Sequence, residues 1–124
     1  QPIDKEVFQD PEKHIIAPGG NIFFARSPEG ILGTVALMKI EDDVFELTKM
    51  AVTAAAQGKR IGQQLMEHAI DYAKKQGWKR LIIYTNSSLV NAVHIYRKYG
   101  FVDIPIEPEV QYERADIKME LELS

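Results

Sequence analysis

The chain has 124 residues, 45% apolar and 27% charged, with a formal net charge of −3; these are values of a single soluble globular domain spanning the whole chain. The negative balance argues against nucleic acid as a partner. No segment reaches the roughly 18 consecutive apolar residues of a membrane helix and no signal peptide stands out, so no membrane association is expected and the cytoplasm is the default location. The absence of cysteine excludes disulfides, thiolate metal sites and a thiol nucleophile.

In chain order, Asp10-Pro11-Glu12 is a helix-start signal: a capping Asp, Pro at the first helical position, then an acid. A short helix is expected there, ending before Pro18-Gly19-Gly20. Asn21 to Arg26 reads as a strand and Ser27-Pro28-Glu29-Gly30 as a turn. Ile31 to Ile40 returns, and Glu41-Asp42-Asp43 turns the chain into a third strand, Val44 to Val52, completing an antiparallel meander. The style then changes. Ile61, Leu65, Ala69, Tyr72 and Ala73 form an apolar stripe at helical spacing, and Gly77 is the stop signal. Arg80 to Thr85 is a buried central strand by its apolar run. Asn86-Ser87-Ser88 is expected to cap a helix from Leu89 to Tyr99, ended by Gly100. Phe101 to Ile104 is a strand, Pro105 to Glu109 a loop, and Ala115 to Leu123 an alternating last strand. The order α-βββ-α-β-α-β-β predicts an α/β fold with a mixed, largely antiparallel sheet and one parallel strand–helix–strand unit from Phe45 to Thr85.

The segment Gln57-Gly58-Lys59-Arg60-Ile61-Gly62 joins a buried strand to a helix. A short Gly-containing turn there leaves backbone N–H groups at the positive end of the helix dipole, a site suited to phosphate. Taken alone it is also an ordinary strand–helix connection. A nucleoside-triphosphate loop requires Gly-Lys followed by Ser or Thr, but Arg60 follows Lys59, and the dinucleotide fingerprint requires a third glycine. The three histidines, His14, His68 and His94, lack metal-ligand spacing, so no metal is expected.

Gln57-x-x-Arg60-x-Gly62 after a strand ending Met50-Ala51-Val52 resembles the pyrophosphate turn of the GNAT family of acyl-CoA-dependent N-acetyltransferases, Arg/Gln-x-x-Gly-x-Gly/Ala. Downstream, Ala92 to Phe101 (Ala-Val-His-Ile-Tyr-Arg-Lys-Tyr-Gly-Phe) is similar to the family's Ala-Ile-x-Leu-Tyr-x-x-x-Gly-Phe segment, and Ala115 to Leu121 to its last strand. The likeness runs from about Gly19 onward. Three departures stand out. Arg60 replaces the first turn glycine. Leu89 stands where many members have Asn, with Asn86 and Asn91 as the nearest substitutes. The family's usual first strand and helix are not visible ahead of Gly19, which leaves Asn21 to Arg26 as an edge for a partner chain, a homodimer included.

The resemblance implies acetyl-CoA as cosubstrate and a primary amine, small molecule or peptide, as acceptor. The pantetheine arm would pair with Met50, Ala51 and Val52, and backbone N–H groups from Gly58 to Gln63, including those of Lys59, Arg60, Ile61 and Gly62, would hold the pyrophosphate. Lys59, Arg60, Arg97 and Lys98 are candidate phosphate contacts; each also reads as a solvated helix-end cation. Glu46, an acid within an apolar strand, is the candidate base, since an alkyl ammonium with pKa near 10.4 must lose a proton to attack. Its alternative is a water-facing side chain. Tyr96 is the candidate acid for a thiolate leaving group; its alternative is a core aromatic. Tyr84 and Tyr99 read as structural, and His68 and His94 as helix-surface residues. Without cysteine, direct transfer in a ternary complex is favoured over an acyl-enzyme. The competing reading is a non-catalytic acyl-CoA-binding module of the same fold.

Overall fold

The apolar alternation of the chain's first half becomes a run of adjacent strands in the computed structural model, which describes residues 14–16, 21–113 and 115–123. The elements are β1 (His14–Ile16), β2 (Ile22–Ser27), β3 (Gly30–Glu41), β4 (Val44–Val52), a 3-10 turn (Ala54–Ala56), α1 (Ile61–Gln76), β5 (Arg80–Thr85), α2 (Val90–Lys98), β6 (Val102–Ile104), α3 (Pro108–Glu113) and β7 (Ile117–Glu122). The seven strands pair in the order β1-β2-β3-β4-β5-β7-β6. β4 and β5 run parallel and the registered neighbours β1–β2, β2–β3, β5–β7 and β6–β7 antiparallel. The expected mixed sheet is therefore present.

Three expectations need correction. Over His14–Ile16, where the helix was expected to run, the chain is a strand; the Asp10-Pro11-Glu12 signal lies outside the described residues. The edge at Asn21 to Arg26 is not open along its length, because β1 pairs His14↔Arg26, Ile15↔Ala25 and Ile16↔Phe24. The Pro105 to Glu109 loop leads into α3, with Pro108 as the first helical residue and Glu109 in the first turn, a start that proline's fixed φ and an early acid both favour.

The chain divides into two compact units, Gln1–Met38 with Leu47–Tyr72, and Lys39–Glu46 with Ala73–Ser124. In the first unit, Phe23, Ala25, Val35 and Leu37 pack on the same core as Ile61, Leu65 and Ala69 of α1, each at most 3% exposed. Phe23 meets the ring edges of His68 (4.7 Å) and Tyr72 (5.1 Å), so His68 is tied to the core rather than displayed on the helix surface. Tyr72 Oη donates to Asn21 Oδ1 at 3.4 Å. Gly33 on β3 lets this packing close. A Cβ there would lie 2.9 Å from the Ala51 carbonyl oxygen and 3.0 Å from Leu65 Cδ1. Backbone cannot move aside as a flexible side chain can, so Gly33→Ala is expected to lower unfolding free energy by about 1–3 kcal/mol in a denaturant titration. An unchanged midpoint would contradict this close approach.

In the second unit, Phe45 stacks on Trp78 with ring centroids 3.5 Å apart, and Leu81, Ile83, Val93, Phe101 and Met119 complete the core. Both glycine stops end their helices in the same way. Trp78 N–H donates to Ala73 O and Gly77 N–H to Lys74 O; Phe101 N–H donates to Tyr96 O and Gly100 N–H to Arg97 O. Gly77 (φ +79°) and Gly100 (φ +101°) supply the left-handed residue of these Schellman motifs, which satisfy carbonyls that the helix end leaves unpaired. In the second motif Phe101 is the residue just past the glycine. Its ring meets Tyr96, one helical turn back, at 6.3 Å.

Candidate functional site

The strand-to-helix turn lies in the first unit. Within β4, Lys49 has φ +56°, a left-handed residue that interrupts the pleat just before Met50-Ala51-Val52. Pairing of β4 with β5 has already ended, at Glu46↔Ile82. Met50 and Val52 are half-buried and Ala51 is exposed. The 3-10 turn then forms: Ala56 N–H donates to Thr53 O at 3.0 Å, Gln57 N–H to Ala54 O at 3.3 Å and Lys59 N–H to Ala56 O at 3.4 Å. Arg60 O accepts the first α1 bond, from Gln64 N–H at 3.0 Å. Ile61 and Gly62 therefore open the helix ahead of that first bond, with their N–H groups at the positive end of the dipole. Ile61 contributes only its N–H, because its side chain is 1% exposed in the core. Gln57, Gly58, Lys59 and Arg60 are all exposed. A Cβ on Gly62 would make only ordinary contacts, 3.5 Å from Val52 Cγ2 and 4.0 Å from Met50 Sδ; packing within the fold does not require glycine there.

Arg60 occupies φ +62°. The position where the family pattern places glycine is thus a left-handed one in this chain. Its guanidinium turns back along α1, donating to Gln63 Oε1 at 3.1 Å and reaching Glu67 Oε2 at 3.6 Å. The left-handed conformation costs a side-chain-bearing residue about 1–2 kcal/mol, and an ion pair this exposed returns about 0–1 kcal/mol. Arg60→Gly should therefore keep or raise the melting temperature, whereas β-branched Arg60→Val should lower it. Calorimetry in which glycine is clearly the less stable of the two would contradict this account.

Five predicted residues lie in the second unit; of these, Lys98 is exposed. Glu46 is 8% exposed, paired in register with Ile82, and engaged by a further interaction in the fold; it does not face open water. Tyr96 is half-buried on α2, held by Phe101. Burial pushes its phenol above 10, so it keeps its proton across the neutral range. Arg97 is held by Asp103, donating to both carboxylate oxygens at 3.1 Å. Asn91 is exposed. Asn86-Ser87-Ser88 does not cap α2. The capping position is Leu89, which makes no side-chain bond to the helix. Asp116 instead secures the segment, accepting from Ser87 N–H at 2.8 Å and from Ser87 Oγ–H at 2.7 Å. These hydroxyl and backbone bonds hold the Asp116 carboxyl below its usual range. Tyr84, read above as structural, has a polar role: its hydroxyl donates to Glu107, which also accepts from Lys118. A sign in the sequence was Lys118 itself, a charge inside an alternating strand.

Among the described residues no helix is long and apolar enough to cross a membrane, and no group of three or more His, Asp or Glu is placed to hold a metal ion.

The family model described as an acetyltransferase (GNAT) domain matches residues 18–103. An uncharacterised N-acetyltransferase of Bacillus subtilis is 31% identical over 101 residues, covering 79% of this chain and 65% of that protein. The present chain thus spans just under two thirds of that relative. A Bacillus subtilis acetyltransferase structure in complex with CoA superposes with a TM-score of 0.74 at 22% identity, covering 91% of this chain and 78% of that one. An IAA acetyltransferase from Bacillus cereus superposes with a TM-score of 0.71 at 24% identity, over 99% and 97% of the two chains. With the family model matched over residues 18–103, from β2 through the turn before α1 to the Gly100-Phe101 helix end, the chain belongs to the GNAT acetyltransferase family.

Proposed function

We propose that this chain is a single N-acetyltransferase domain that moves an acetyl group from acetyl-CoA to a primary amine by direct attack in a ternary complex. The observation that carries the reading is the turn before α1, where the helix-leading N–H groups follow a left-handed residue and the exposed cations Lys59 and Arg60 stand beside them. That donor set suits a pyrophosphate. The CoA complex of the Bacillus subtilis structural neighbour is in keeping with it.

Acetyl-CoA supplies an acyl carbon activated as a thioester. The residues of the chain supply binding and proton management. Met50, Ala51 and Val52 offer strand backbone to the pantetheine amides, and an N–H near Ala51 or Val52 polarises the carbonyl oxygen. The N–H groups from Gly58 to Gln63 hold the pyrophosphate, with Gln57, Lys59, Arg60 and Asn91 around the nucleotide; Arg97 joins them by exchanging Asp103 for a phosphate. Glu46, directly or through water, takes the proton that the acceptor ammonium must lose. The amine nitrogen bonds to the acyl carbon as the carbon–sulfur bond breaks, Tyr96 gives its proton to the departing sulfur, and the second proton that the nitrogen sheds on becoming an amide restores the Tyr96 phenol. Its raised pKa suits it to that role, since it arrives at the reaction protonated.

Thermal unfolding with acetyl-CoA tests the binding half. At about 100 times the dissociation constant, a ligand of the folded state adds roughly 2.7 kcal/mol of stability. No shift with acetyl-CoA or CoA would overturn the reading. A shift without acetylation of any amine in a broad panel would leave an acyl-CoA-binding module instead.

A further inference from the structure

Several charges on the second unit's sheet are explained by pairing along its strands: Arg80 holds Glu120 at 3.0 Å and Glu41 at 3.6 Å. One cluster is built differently. Tyr84 and Lys118 are cross-strand partners on β5 and β7, so their side chains leave the same face. Tyr84 Oη donates to Glu107 Oε1 at 3.0 Å and Oε2 at 3.1 Å, and Lys118 Nζ donates to Oε2 at 3.0 Å. The ammonium also lies 5.4 Å from the Tyr84 ring centroid. Two donors fixed on neighbouring strands thus converge on one carboxylate. That carboxylate is carried by the loop between β6 and α3, not by the sheet. The Lys118 side chain is 17% exposed and that of Glu107 45%, so the receptor is sheltered and its occupant is at the surface.

The cluster shares a sheet face with the candidate base. Glu46 is registered with Ile82, two residues before Tyr84 on β5. Two residues along a strand and one strand across separate the Glu46 and Tyr84 Cα atoms by about 8 Å. We propose that Lys118 and Tyr84 form a subsite for a carboxylate carried by the amine acceptor, and that Glu107 occupies this subsite in the unliganded chain. The proposal rests on the reading of Glu46 as the base. The acceptor is then an amino acid in the broad sense, its amine at Glu46 and its carboxylate at Lys118, with a short carbon chain between. Charge excludes the opposite class. When Glu107 leaves, Lys118 is left without that carboxylate, and its charge is neutralised by an incoming carboxylate and repels the second ammonium of a polyamine.

The test titrates the isotope-labelled chain with butyrate, butylamine and γ-aminobutyrate, following the Tyr84 and Lys118 amide resonances. Butyrate and γ-aminobutyrate should shift both resonances saturably and butylamine should not. Lys118→Met should abolish the response. Glu107→Gln, which weakens the resident competitor, should tighten butyrate by about tenfold, a readout that a purely structural clamp would not give. In turnover, γ-aminobutyrate should exceed butylamine in kcat/KM, and Lys118→Met should erase that preference. Absence of a butyrate response in both the parent and Glu107→Gln, or an equal response in Lys118→Met, overturns the subsite. A chain that binds butyrate through Lys118 but acetylates no amine keeps the subsite and overturns the reaction. One that acetylates both amines equally, with no butyrate response, does the reverse.

Discussion

Glu46→Gln is expected to lower kcat for amine acetylation by about 10²–10⁴-fold, the usual contribution of a positioned general base. The substitution keeps side-chain size and removes only the ability to take a proton at neutral pH. Glu46 sits between Phe45 and Leu47, both core residues of β4, so a variant that changed shape would confound the result. The control is acetyl-CoA affinity, assigned by the proposal to a turn some eleven residues further along the chain, which should not change. A parallel loss of stability, of acetylation and of acetyl-CoA affinity would assign Glu46 a structural role. The pH profile gives a second check. Because burial pushes the Tyr96 phenol above 10, its acid form persists as pH rises through 7 to about 9. The rate should climb with deprotonation of the amine and should not fall again within that range. The same raised pKa favours the neutral phenol in the folded chain, so its stabilising contribution is complete below about pH 10 and fades only above it.

Phe101→Ala is expected to lower unfolding free energy by about 3–5 kcal/mol, a large fraction of the 5–15 kcal/mol typical of a domain. Phe101 is 1% exposed, and it begins the chain's exit from the Gly100 helix end. Its ring meets Tyr96 at 6.3 Å, so one side chain both fills the core and fixes the direction of the candidate acid. A denaturant titration measures the first effect. The second is read at a temperature where the variant is still folded: Phe101→Ala should lose turnover beyond its folded fraction, and Tyr96→Phe should lose turnover with little change in stability. A stability change below about 1 kcal/mol for Phe101→Ala would contradict the packing described.

What was legible in the sequence was local. The stripe Ile61, Leu65, Ala69 and Ala73 became the buried face of α1, and Gly77 and Gly100 stopped their helices, because helix periodicity and left-handed glycine act over one or two turns. The features that escaped depend on residues far apart in the chain. Asp116, twenty-nine positions from Ser87, secures the start of α2 in place of the expected local cap. Gly33 matters because Ala51 and Leu65 arrive against it. Tyr84 reads as structural in the sequence, and its polar partners Lys118 and Glu107 are brought to it only by strand pairing and by a loop. His14 to Ile16 followed a helix-start signal but form a strand, since pairing with β2 outweighs local propensity. Arg60 lies between these cases. Its departure from the family pattern was visible, but its φ of +62°, which gives that departure a physical meaning, was not.

The most direct measurement is the amine-dependent release of free CoA thiol from acetyl-CoA, followed in the parent chain and in Glu46→Gln. The account predicts release in the parent that needs an amine acceptor and matches N-acetylated product one for one, and release in Glu46→Gln reduced by about 10²-fold or more at unchanged acetyl-CoA affinity. Thiol release that ignores the amine, or that continues at the parent rate in Glu46→Gln, would contradict it.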